Sequence, residues 1–337
     1  MEGVTAIMAE FQAILLEKSG EIVSPSIQTL DASRLPDGEV TVRVLYSTLN
    51  YKDGLVLKGQ GGLVRNYPHI PGIDLIGIVD DPGSSTFSVG DRVISTGWRV
   101  GEVWWGGYAT LAKLKSEWLV KAPEGLSDIQ CMAIGTAGFT AMQCVLALEA
   151  NGVVPNSGEV LVTGAGGGVG SVAISILAGL GYEVIAVSGR PQLEGYLKDI
   201  GAKNLITREE ISELGKRPLQ SERFAGAVDT VGGEILAGVL PAIKYKGAAA
   251  ICGLAGGAGL KTTVIPFILR GITMAGIDSV MAPAEERTKV WSRLAMDLPK
   301  DKLDATTSIV GLQDAIKMAD EILAGQVRGR TVIDVNA

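Results

Sequence analysis

The sequence predicts an α/β protein with two domains, one built mainly from short strands and one built around a doubly wound parallel sheet. The chain has 337 residues, which is enough for two domains of ordinary size that each have a core. Hydrophobic residues make up 47% of it and charged residues only 20%, as is typical of compact proteins. Strand signals crowd the first third, whereas helices and strands alternate later.

Short strands separated by turns fill the first third of the chain. Alternation of apolar and polar residues predicts strands at 12–16, 40–46 and 90–94, and a Leu-Pro-Asp-Gly turn lies at 35–38. This clustering indicates a mainly β domain or a partial barrel. Residues 1–10 lack the basic and apolar regions of a signal peptide, so none is predicted, and the residues before the first strand are expected to form a disordered extension.

Helices and strands alternate from residue 127 onward, which implies a parallel doubly wound sheet. A final helix at 312–323 and a strand at 331–335 are expected to return to the first domain. The other predicted helices are 128–134, 140–149, 168–180 and 192–200, and the predicted strands are 160–163, 184–187, 204–206, 226–229 and 248–253.

A glycine cluster between the strand at 160–163 and the next helix is the most informative segment. Without side chains a backbone approaches a ligand closely, and free N–H groups at a helix N-terminus suit a pyrophosphate. The spacing Gly-x-x-Gly-x-x-Gly departs from the usual pattern, and glycine also serves ordinary turns, but the strand–turn–helix context favours dinucleotide binding. The predicted contact residues are Gly164, Ala165, Gly166, Gly167, Gly168, Val169 and Gly170.

An uncharged run of 23 residues, 160–182, raises the alternative of a membrane span. Glycines at the strand–helix junction, and strand-like composition on one side, favour a buried core instead. No membrane partner is therefore expected.

Charge and cysteine content narrow the class of protein further. A net charge of −7 without a basic run makes a nucleic-acid partner unexpected, and an anionic substrate would need a local basic mouth. The three cysteines, Cys131, Cys144 and Cys252, show no Cys-x-x-Cys spacing and are interpreted as small buried side chains in a reducing compartment. Cytoplasmic localisation is the resulting prediction.

The end of the second strand distinguishes the two nicotinamide cofactors. An acidic residue there would bind the ribose hydroxyls of NAD, but Ser188, Gly189 and Arg190 stand at this position. A hydroxyl, a free N–H and a guanidinium favour the 2′-phosphate of NADP. Arg208 or Lys203 could assist from the third strand. The alternative is an N-cap serine followed by a solvated arginine.

Eight motifs in order carry a resemblance to a known family. They resemble the medium-chain dehydrogenase/reductase superfamily and, more narrowly, its YhdH/AcuI branch of acrylyl-CoA reductases, once filed as quinone oxidoreductases. The segments at 96–98, 104–107 and 276–280 resemble that branch more than quinone reductases in general. The motifs are NYKD at 50–53, IPGID at 70–74, GDRV at 90–93, GTAGFT at 135–140, SGR at 188–190, DTVGG at 229–233, PFILR at 266–270 and GRTV at 329–332.

The resemblance implies a GroES-like partial β-barrel catalytic domain formed by 1–128 and 302–337, with a Rossmann NADPH-binding domain at 129–301. It also implies NADP(H) as cofactor and a homodimer joined through the cofactor domains. By motif match, Tyr51 lies near the nicotinamide and Thr140 on the helix that faces it. Ser188, Arg190 and Arg208 match positions around the 2′-phosphate, and Leu254, Ile268 and Ser279 match cofactor-contacting loops.

The resemblance breaks down where the superfamily's alcohol dehydrogenases bind zinc. They place a histidine ligand in a Pro-Gly-His-Glu segment, where this chain has Ile73 and Asp74 after Pro-Gly. A catalytic zinc needs three protein ligands, and three cysteines cannot build a Cys₄ site. No metal is predicted, and the one histidine, His69, is interpreted as a loop or packing residue.

The resulting hypothesis is zinc-independent, NADPH-dependent reduction of the C=C bond of a short 2-enoyl-CoA, with acrylyl-CoA to propanoyl-CoA as the favoured reaction. Tyr51 and Asn50 are the predicted catalytic residues, with Tyr51 as the polar group near the reacting atoms and Lys52 as a further support. A tyrosine that merely packs on the nicotinamide is equally consistent. Two alternatives stay open: a quinone or general enone reductase, and an NADPH-binding regulator without turnover.

A coenzyme A thioester brings several phosphates to an acidic protein, so a local basic rim is expected. Lys52, Lys58, Arg65 and Arg99 are the candidates, and each is by default a solvated surface charge.

Overall fold

The computed structural model describes residues 10–337, so the expected N-terminal extension lies outside the described residues. The chain forms two compact units. The first contains the described residues up to Thr136 together with Val280–Trp291 and Thr306–Ala337. The second contains Ala137–Ser279 and Ser292–Ala305. The predicted bounds placed Val280–Trp291 in the second domain, whereas this segment belongs to the first unit in the structure.

The first part of the chain is rich in strands, as predicted. Its helices are α1 (Tyr51–Leu57) and α2 (Asp128–Ala150). The strands are β1 (Glu10–Ser19), β2 (Ile22–Asp31), β3 (Val40–Thr48), β4 (Asp74–Asp81), β5 (Arg92–Thr96), β6 (Leu111–Leu114) and β7 (Val120–Lys121).

Strands and helices then alternate, again as predicted. They are β8 (Glu159–Val162), α3 (Gly168–Gly179), β9 (Glu183–Val187), α4 (Glu194–Asp199), β10 (Asn204–Ile206), α5 (Arg208–Leu214), β11 (Phe224–Asp229), α6 (Gly233–Val239), β12 (Ile243–Ile251), α7 (Ile265–Arg270) and β13 (Thr273–Gly276). The chain ends with α8 (Ala284–Asp297), α9 (Lys300–Ala305), β14 (Thr307–Gly311), α10 (Leu312–Leu323) and β15 (Arg330–Asp334).

The second unit is built on a six-stranded sheet in the order β10-β9-β8-β11-β12-β13. Every pair in it is parallel. The central strands are apolar runs buried on both faces, because helices cover a parallel sheet on each side. All strands therefore point the same way, and the loops after β8, β9, β11 and β12 lie at one edge of the sheet. The predicted doubly wound sheet is confirmed.

The first unit is built on a seven-stranded sheet in the order β14-β15-β3-β4-β5-β7, with β6 also pairing with β3. Its pairs are antiparallel except for β14 with β15. Val332 of the last strand is opposite Thr48 of β3, so both ends of the chain form one sheet. This confirms the predicted return of the C-terminal strand.

Two of the predicted helices, 128–134 and 140–149, lie in one continuous segment that is kinked between them. Helix α2 runs through both, with a non-helical residue at Gly135 whose φ is 47° and ψ is −156°. By length and composition α2 is the one described helix that could cross a membrane, and 83% of its most apolar window is buried inside the fold. The uncharged run at 160–182 is not a single helix, since it contains β8, the glycine turn and α3.

A buried arginine attaches the return segment to the first unit. Arg287 of α8 is 2% exposed. Its guanidinium donates to the carbonyl oxygens of Thr96 at 2.6 Å, Ala282 at 2.9 Å and Val280 at 3.0 Å. It also lies 4.8 Å from the ring centroid of Trp98. These bonds hold residues 280–282 beside the end of β5.

Replacing this arginine should cost much more stability than replacing a surface arginine. Arg287→Met removes a donor from the buried carbonyl groups of Thr96 and Ala282 and one of two donors from that of Val280, so we expect the free energy of unfolding to fall by roughly 3 kcal/mol or more. Urea denaturation measures this. The control is Arg223→Met, since the exposed Arg223–Glu159 pair, 3.1 Å apart, should contribute less than about 1 kcal/mol. Equal losses would contradict the assignment.

Candidate active site

The glycine turn of the second unit has the shape predicted for a pyrophosphate site. Gly164 has a φ of +60°, and a Cβ there would overlap the Thr230 hydroxyl. A Cβ on Gly170 would overlap the carbonyl oxygen of Gly164, so α3 lies against the turn only because that side chain is missing. Helix α3 begins after Gly167. The N–H groups of its first turn, at 168–170, have no acceptor within the helix and are available to an anion.

Two arginine side chains lie against glycine backbone at the end of β9. A Cβ on Gly166 would lie 2.6 Å from Nη2 of Arg190, and a Cβ on Gly189 would lie 2.9 Å from Nε of Arg208. Burial, and then the charge of Arg208, lower the pKa of Arg190. The two guanidinium charges repel each other, and a phosphate dianion bound beside them would offset that repulsion.

The serine of this segment shapes the backbone that carries Arg190. The Ser188 hydroxyl accepts from the N–H of Arg190 at 3.1 Å. Lys203, the other cation considered at this edge, is paired with Glu183 at 2.7 Å. The structure therefore brings Ser188, Arg190 and Arg208 together beside the glycine turn and gives Lys203 a different partner.

The remaining predicted cofactor residues lie elsewhere in the second unit. The loop that contains Leu254 packs on the loop after β11, with the Gly256 N–H donating to the Val231 carbonyl oxygen at 2.7 Å. Leu254 and Ile268 are exposed, Thr140 is buried and Ser279 is half-buried. The backbone of Gly253, next to Leu254, lies against Thr230, and the Thr230 hydroxyl lies against Gly164 of the glycine turn.

A buried aspartate organises the loop after β11, and sequence reasoning missed it. Asp229 accepts from the Thr163 hydroxyl at 2.6 Å and from the Gly232 N–H at 2.8 Å. Burial raises the pKa of Asp229. An acid at the end of a buried strand in DTVGG was the available signal, because such a carboxylate must find donors nearby.

The predicted catalytic segment of the first unit starts α1. Tyr51 is the first residue of the helix and is 46% exposed. Asn50 precedes it and is buried. The Asn50 N–H donates to Asp53 at 2.9 Å, which closes the first turn as a capping box.

Asn50 also connects two buried carboxyl groups. Its side-chain amide donates to Asp53 Oδ2 at 3.2 Å and to Asp74 Oδ2 at 2.8 Å. Asp74 accepts further from the N–H of Thr136 at 2.9 Å and from the Thr136 hydroxyl. A Cβ on the kinked Gly135 would lie 2.7 Å from Asp74 Oδ2, so the glycine allows this approach.

The C-terminal strand supplies the cation of this group. Arg330 is buried, and its Nη2 donates to the Thr48 hydroxyl at 2.8 Å and to Asn50 Oδ1 at 3.3 Å. Its Nε donates to the Ala133 carbonyl oxygen at 2.6 Å. We call Asn50, Asp53, Asp74, Thr136 and Arg330 the carboxyl cluster.

Burial dominates the electrostatics of the carboxyl cluster. Burial, and then the charge of Asp74, raise the pKa of Asp53 from 3.8 to about 7. Burial also raises the pKa of Asp74, against the lowering effect of its hydrogen bonds from Thr136 and Asn50 and of the Arg330 charge. Two adjacent carboxyl groups in a dry site disfavour double ionisation.

The four candidates for a basic rim differ in their partners. Lys52 and Arg99 both approach the buried carboxylate of Glu102, at 2.8 and 3.6 Å. Lys58 is paired with Asp320 at 2.6 Å. Arg65 is exposed and has no ion pair within the described chain. The positive charge available to a substrate is therefore smaller than four cations would supply.

Comparison with known proteins identifies the family of the chain. Residues 36–124 match the family model of the alcohol dehydrogenase GroES-like domain, and residues 168–296 match that of the zinc-binding dehydrogenases. The acrylyl-CoA reductase AcuI of Ruegeria pomeroyi is 54% identical over 97% of this chain and 100% of its own length. The chain belongs to the medium-chain dehydrogenase/reductase superfamily, in its AcuI branch.

Solved structures of the superfamily agree with both units. The structure of Escherichia coli YhdH with bound NADPH is 50% identical, with a TM-score of 0.94 over 96% of this chain and 100% of that one. Bacillus subtilis YhfP with bound NAD is 41% identical, with a TM-score of 0.94 over 97% of this chain and 100% of that one. The predicted GroES-like and Rossmann-type architecture is confirmed.

The residues of this member do not fit the metal that one family model is named for. Between residues 10 and 337 there is no group of three or more His, Cys, Asp or Glu side chains that could hold an ion. His69 is buried, and its Nε2 has no hydrogen-bond partner among the described residues. Both oxygens of Asp74 already accept protein donors.

The arginine pair predicts a specific effect on cofactor preference. We expect Arg190→Ala to weaken NADPH binding by roughly 1.5–3 kcal/mol, because a charge-assisted contact to the 2′-phosphate is lost, and to leave NADH binding nearly unchanged. Fluorescence titration measures both affinities. Lys203→Ala, which removes a neighbouring cation already paired with Glu183, is the control. Equal losses for the two cofactors would contradict the 2′-phosphate site.

The buried carboxyl group of Asp53 predicts a pH dependence of stability. Its pKa is about 7 in the fold against an ordinary value of 3.8, so the fold favours the protonated form. This contribution is fully present below about pH 4 and is lost as pH rises through about 7, with a slope of at most about 1.4 kcal/mol per pH unit.

Asp53→Asn should flatten that slope. Its stability should also be lower at acidic pH, since the new amide has one acceptor oxygen and cannot accept from both the Ile73 N–H, now bonded at 2.9 Å, and the Asn50 N–H, also at 2.9 Å. Urea denaturation of both proteins across this pH range measures the difference. A wild-type slope that persists in the variant would show that Asp53 does not titrate there.

Proposed function

We propose that this protein reduces the C=C bond of a short 2-enoyl-CoA with NADPH, and that it converts acrylyl-CoA to propanoyl-CoA. The full-length 54% identity to an acrylyl-CoA reductase is the observation that carries the proposal. The arginine pair beside the glycine turn supports NADPH, since it offers two cations where NAD-specific sites offer a carboxylate.

The chain's own residues bind and orient, and NADPH, when bound, supplies the hydride. The N–H groups at the start of α3 would hold the pyrophosphate, and Arg190 and Arg208 the 2′-phosphate. In the balanced reaction the β-carbon of acrylyl-CoA receives the hydride, the C=C bond becomes single, and the α-carbon receives a proton. Negative charge develops on the thioester oxygen meanwhile, so a hydrogen-bond donor there lowers the barrier.

Tyr51 is our candidate for that donor. It is the first residue of α1, and its side chain is half-exposed, whereas the neighbouring Asn50 is buried with its amide hydrogen-bonded to both carboxyl groups. Of the two residues predicted as catalytic, Asn50 is therefore suited to positioning and Tyr51 to contact with a substrate. No step in this scheme needs a metal, and we propose that turnover is zinc-independent.

A panel of substrates tests the proposal. NADPH oxidation is followed with acrylyl-CoA, crotonyl-CoA and a quinone, and the product is identified by mass spectrometry. We expect acrylyl-CoA to give the largest kcat/KM, with propanoyl-CoA as product, and turnover to persist after exhaustive chelation. A quinone that matches acrylyl-CoA would favour the general reductase, and NADPH binding without any turnover would favour a regulatory protein.

The nucleotide part of the substrate should contribute to turnover. If a basic rim binds the coenzyme A phosphates, the acrylyl thioester of N-acetylcysteamine should lose kcat as well as affinity, because remote binding energy assists the reacting end. The double variant Lys58→Gln/Arg65→Gln should then narrow the gap between the two substrates. Equal kcat/KM for acrylyl-CoA and the truncated thioester in the wild type would contradict the rim.

We also propose a homodimer formed through the second unit, in the cytoplasm. Strand β13 is at the edge of its sheet, and Met274 on it is 37% exposed. Helix α7 just before it exposes Ile268 and Leu269. An open edge beside apolar side chains favours pairing with a second copy.

The cytoplasmic localisation is supported by the three free cysteines, Cys131, Cys144 and Cys252, which suit a reducing compartment.

A charge on the edge strand should weaken this dimer. We expect Met274→Glu to raise the dissociation constant at least about tenfold, since each copy would bury an unpaired carboxylate. Light scattering during gel filtration measures the mass. The matched control is Met296→Glu, which changes an exposed methionine elsewhere in the unit. A wild-type monomer, or equal effects of the two variants, would contradict the edge-strand dimer.

A further inference from the structure

The carboxyl cluster is more elaborate than a helix cap requires. A capping box needs only Asn50 and Asp53. Here the same asparagine also reaches Asp74 of β4, and its carbonyl oxygen accepts from Arg330 of β15. The side-chain amide and the main-chain N–H of Asn50 are both used, so the residue has little freedom to rotate.

The segment that carries a zinc ligand in alcohol dehydrogenases joins this cluster in another way. Ile73 contributes its N–H, which donates to Asp53 Oδ1 at 2.9 Å, and Asp74 contributes a fully hydrogen-bonded carboxyl group. Hydrogen bonds among protein groups therefore connect α1, β4, α2 and β15. At this segment alcohol dehydrogenases have a zinc ligand, whereas this chain has hydrogen bonds to the carboxyl cluster.

The start of α1 is held from a second side. A Cβ on Gly54 would lie 2.8 Å from Cγ2 of Ile322, so α1 packs closely on α10. The Gly54 N–H donates to the Asn50 carbonyl oxygen at 3.2 Å. Tyr51, between these two fixed residues, has a backbone that cannot shift unless the cluster or the helix packing changes.

We propose that Asp53 and Asp74 are positioning residues for the reduction, which fix Asn50 and thereby the orientation of Tyr51 in place of a metal ion. This positioning role rests on one part of the proposed function, the contact between Tyr51 and the substrate. In this proposal Asp53 and Asp74 act through Asn50 and Tyr51 and do not themselves contact the substrate or the cofactor. Loss of the cluster should lower kcat through misplacement of Tyr51 and leave cofactor affinity as it is, because the glycine turn and the arginine pair lie in the other unit.

The test compares kcat and KM in Asp53→Asn and Asn50→Ala. We expect kcat for acrylyl-CoA to fall at least about tenfold in both, with the dissociation constant for NADPH within about twofold of wild type. The control is Ser47→Ala, which removes a buried hydroxyl bonded to the Asp74 carbonyl oxygen at 2.6 Å without touching Asn50. Its kcat should stay within about twofold although its Tm also falls.

The possible outcomes separate the positioning role from a purely structural one. If the Asp53 and Asn50 variants lose Tm like the control and keep their kcat, the proposal is overturned. If they do not fold, Thr136→Val, which keeps the N–H bond to Asp74 and removes the hydroxyl, takes their place under the same criterion. If the wild type prefers another enone, the function proposed above fails, and the ratio of variant to wild-type kcat with that enone still decides the role of the cluster.

Discussion

Two carboxyl groups buried side by side are the constraint on which the first unit depends. Asp53 and Asp74 are both fully buried, and a buried carboxylate without donors would destabilise the fold by several kcal/mol. Donors come from Asn50, Thr136 and the Ile73 backbone, and Arg330 supplies the cation near Asp74. These residues come from distant parts of the sequence, and the most distant pair, Asn50 and Arg330, is separated by 280 positions. The C-terminal strand is therefore needed both to complete the sheet and to supply the cation for these carboxyl groups.

The second unit depends on the opposite property, the absence of side chains. Glycine at 164, 166, 167 and 170 leaves room for a neighbouring helix, a threonine hydroxyl and an arginine side chain, and it leaves the first N–H groups of α3 exposed to a ligand. Arg190 and Arg208 then add positive charge at the end of β9. One unit thus provides a prepared anion site, and the other provides a rigid start for α1 and its tyrosine.

Sequence reasoning succeeded where the signal is local. The glycine turn and the segment 188–190 each lie within a few residues, and alternation of short apolar runs identified the parallel sheet. Strand β2 was missed because Pro25 interrupts it, and proline within a run argues against a strand unless it lies at an edge. Helix α1 was missed because it has seven residues and a glycine, although Asn50 and Asp53 form a recognisable cap.

The carboxyl cluster was beyond sequence reasoning for a physical reason. Its members are separated by up to hundreds of residues, and nothing near Arg330 in the sequence indicates that its partners are Thr48 and Asn50. The return of Val280–Trp291 to the first unit depends on Arg287, whose acceptors are backbone carbonyl groups that no side-chain motif reveals. The sequence also did not reveal that Lys58, a predicted residue of the basic rim, forms an ion pair with Asp320 of a distant helix.

Transfer of deuterium from NADPH to the product is the decisive test of the proposed reduction of acrylyl-CoA. The protein is supplied with acrylyl-CoA and NADPH labelled with deuterium at the transferable position of C4, and the product is analysed by mass spectrometry and NMR. We expect propanoyl-CoA with one deuterium at the β-carbon and a solvent-derived hydrogen at the α-carbon. Propanoyl-CoA without that label, or oxidation of the cofactor with acrylyl-CoA unchanged, would contradict the proposed reduction.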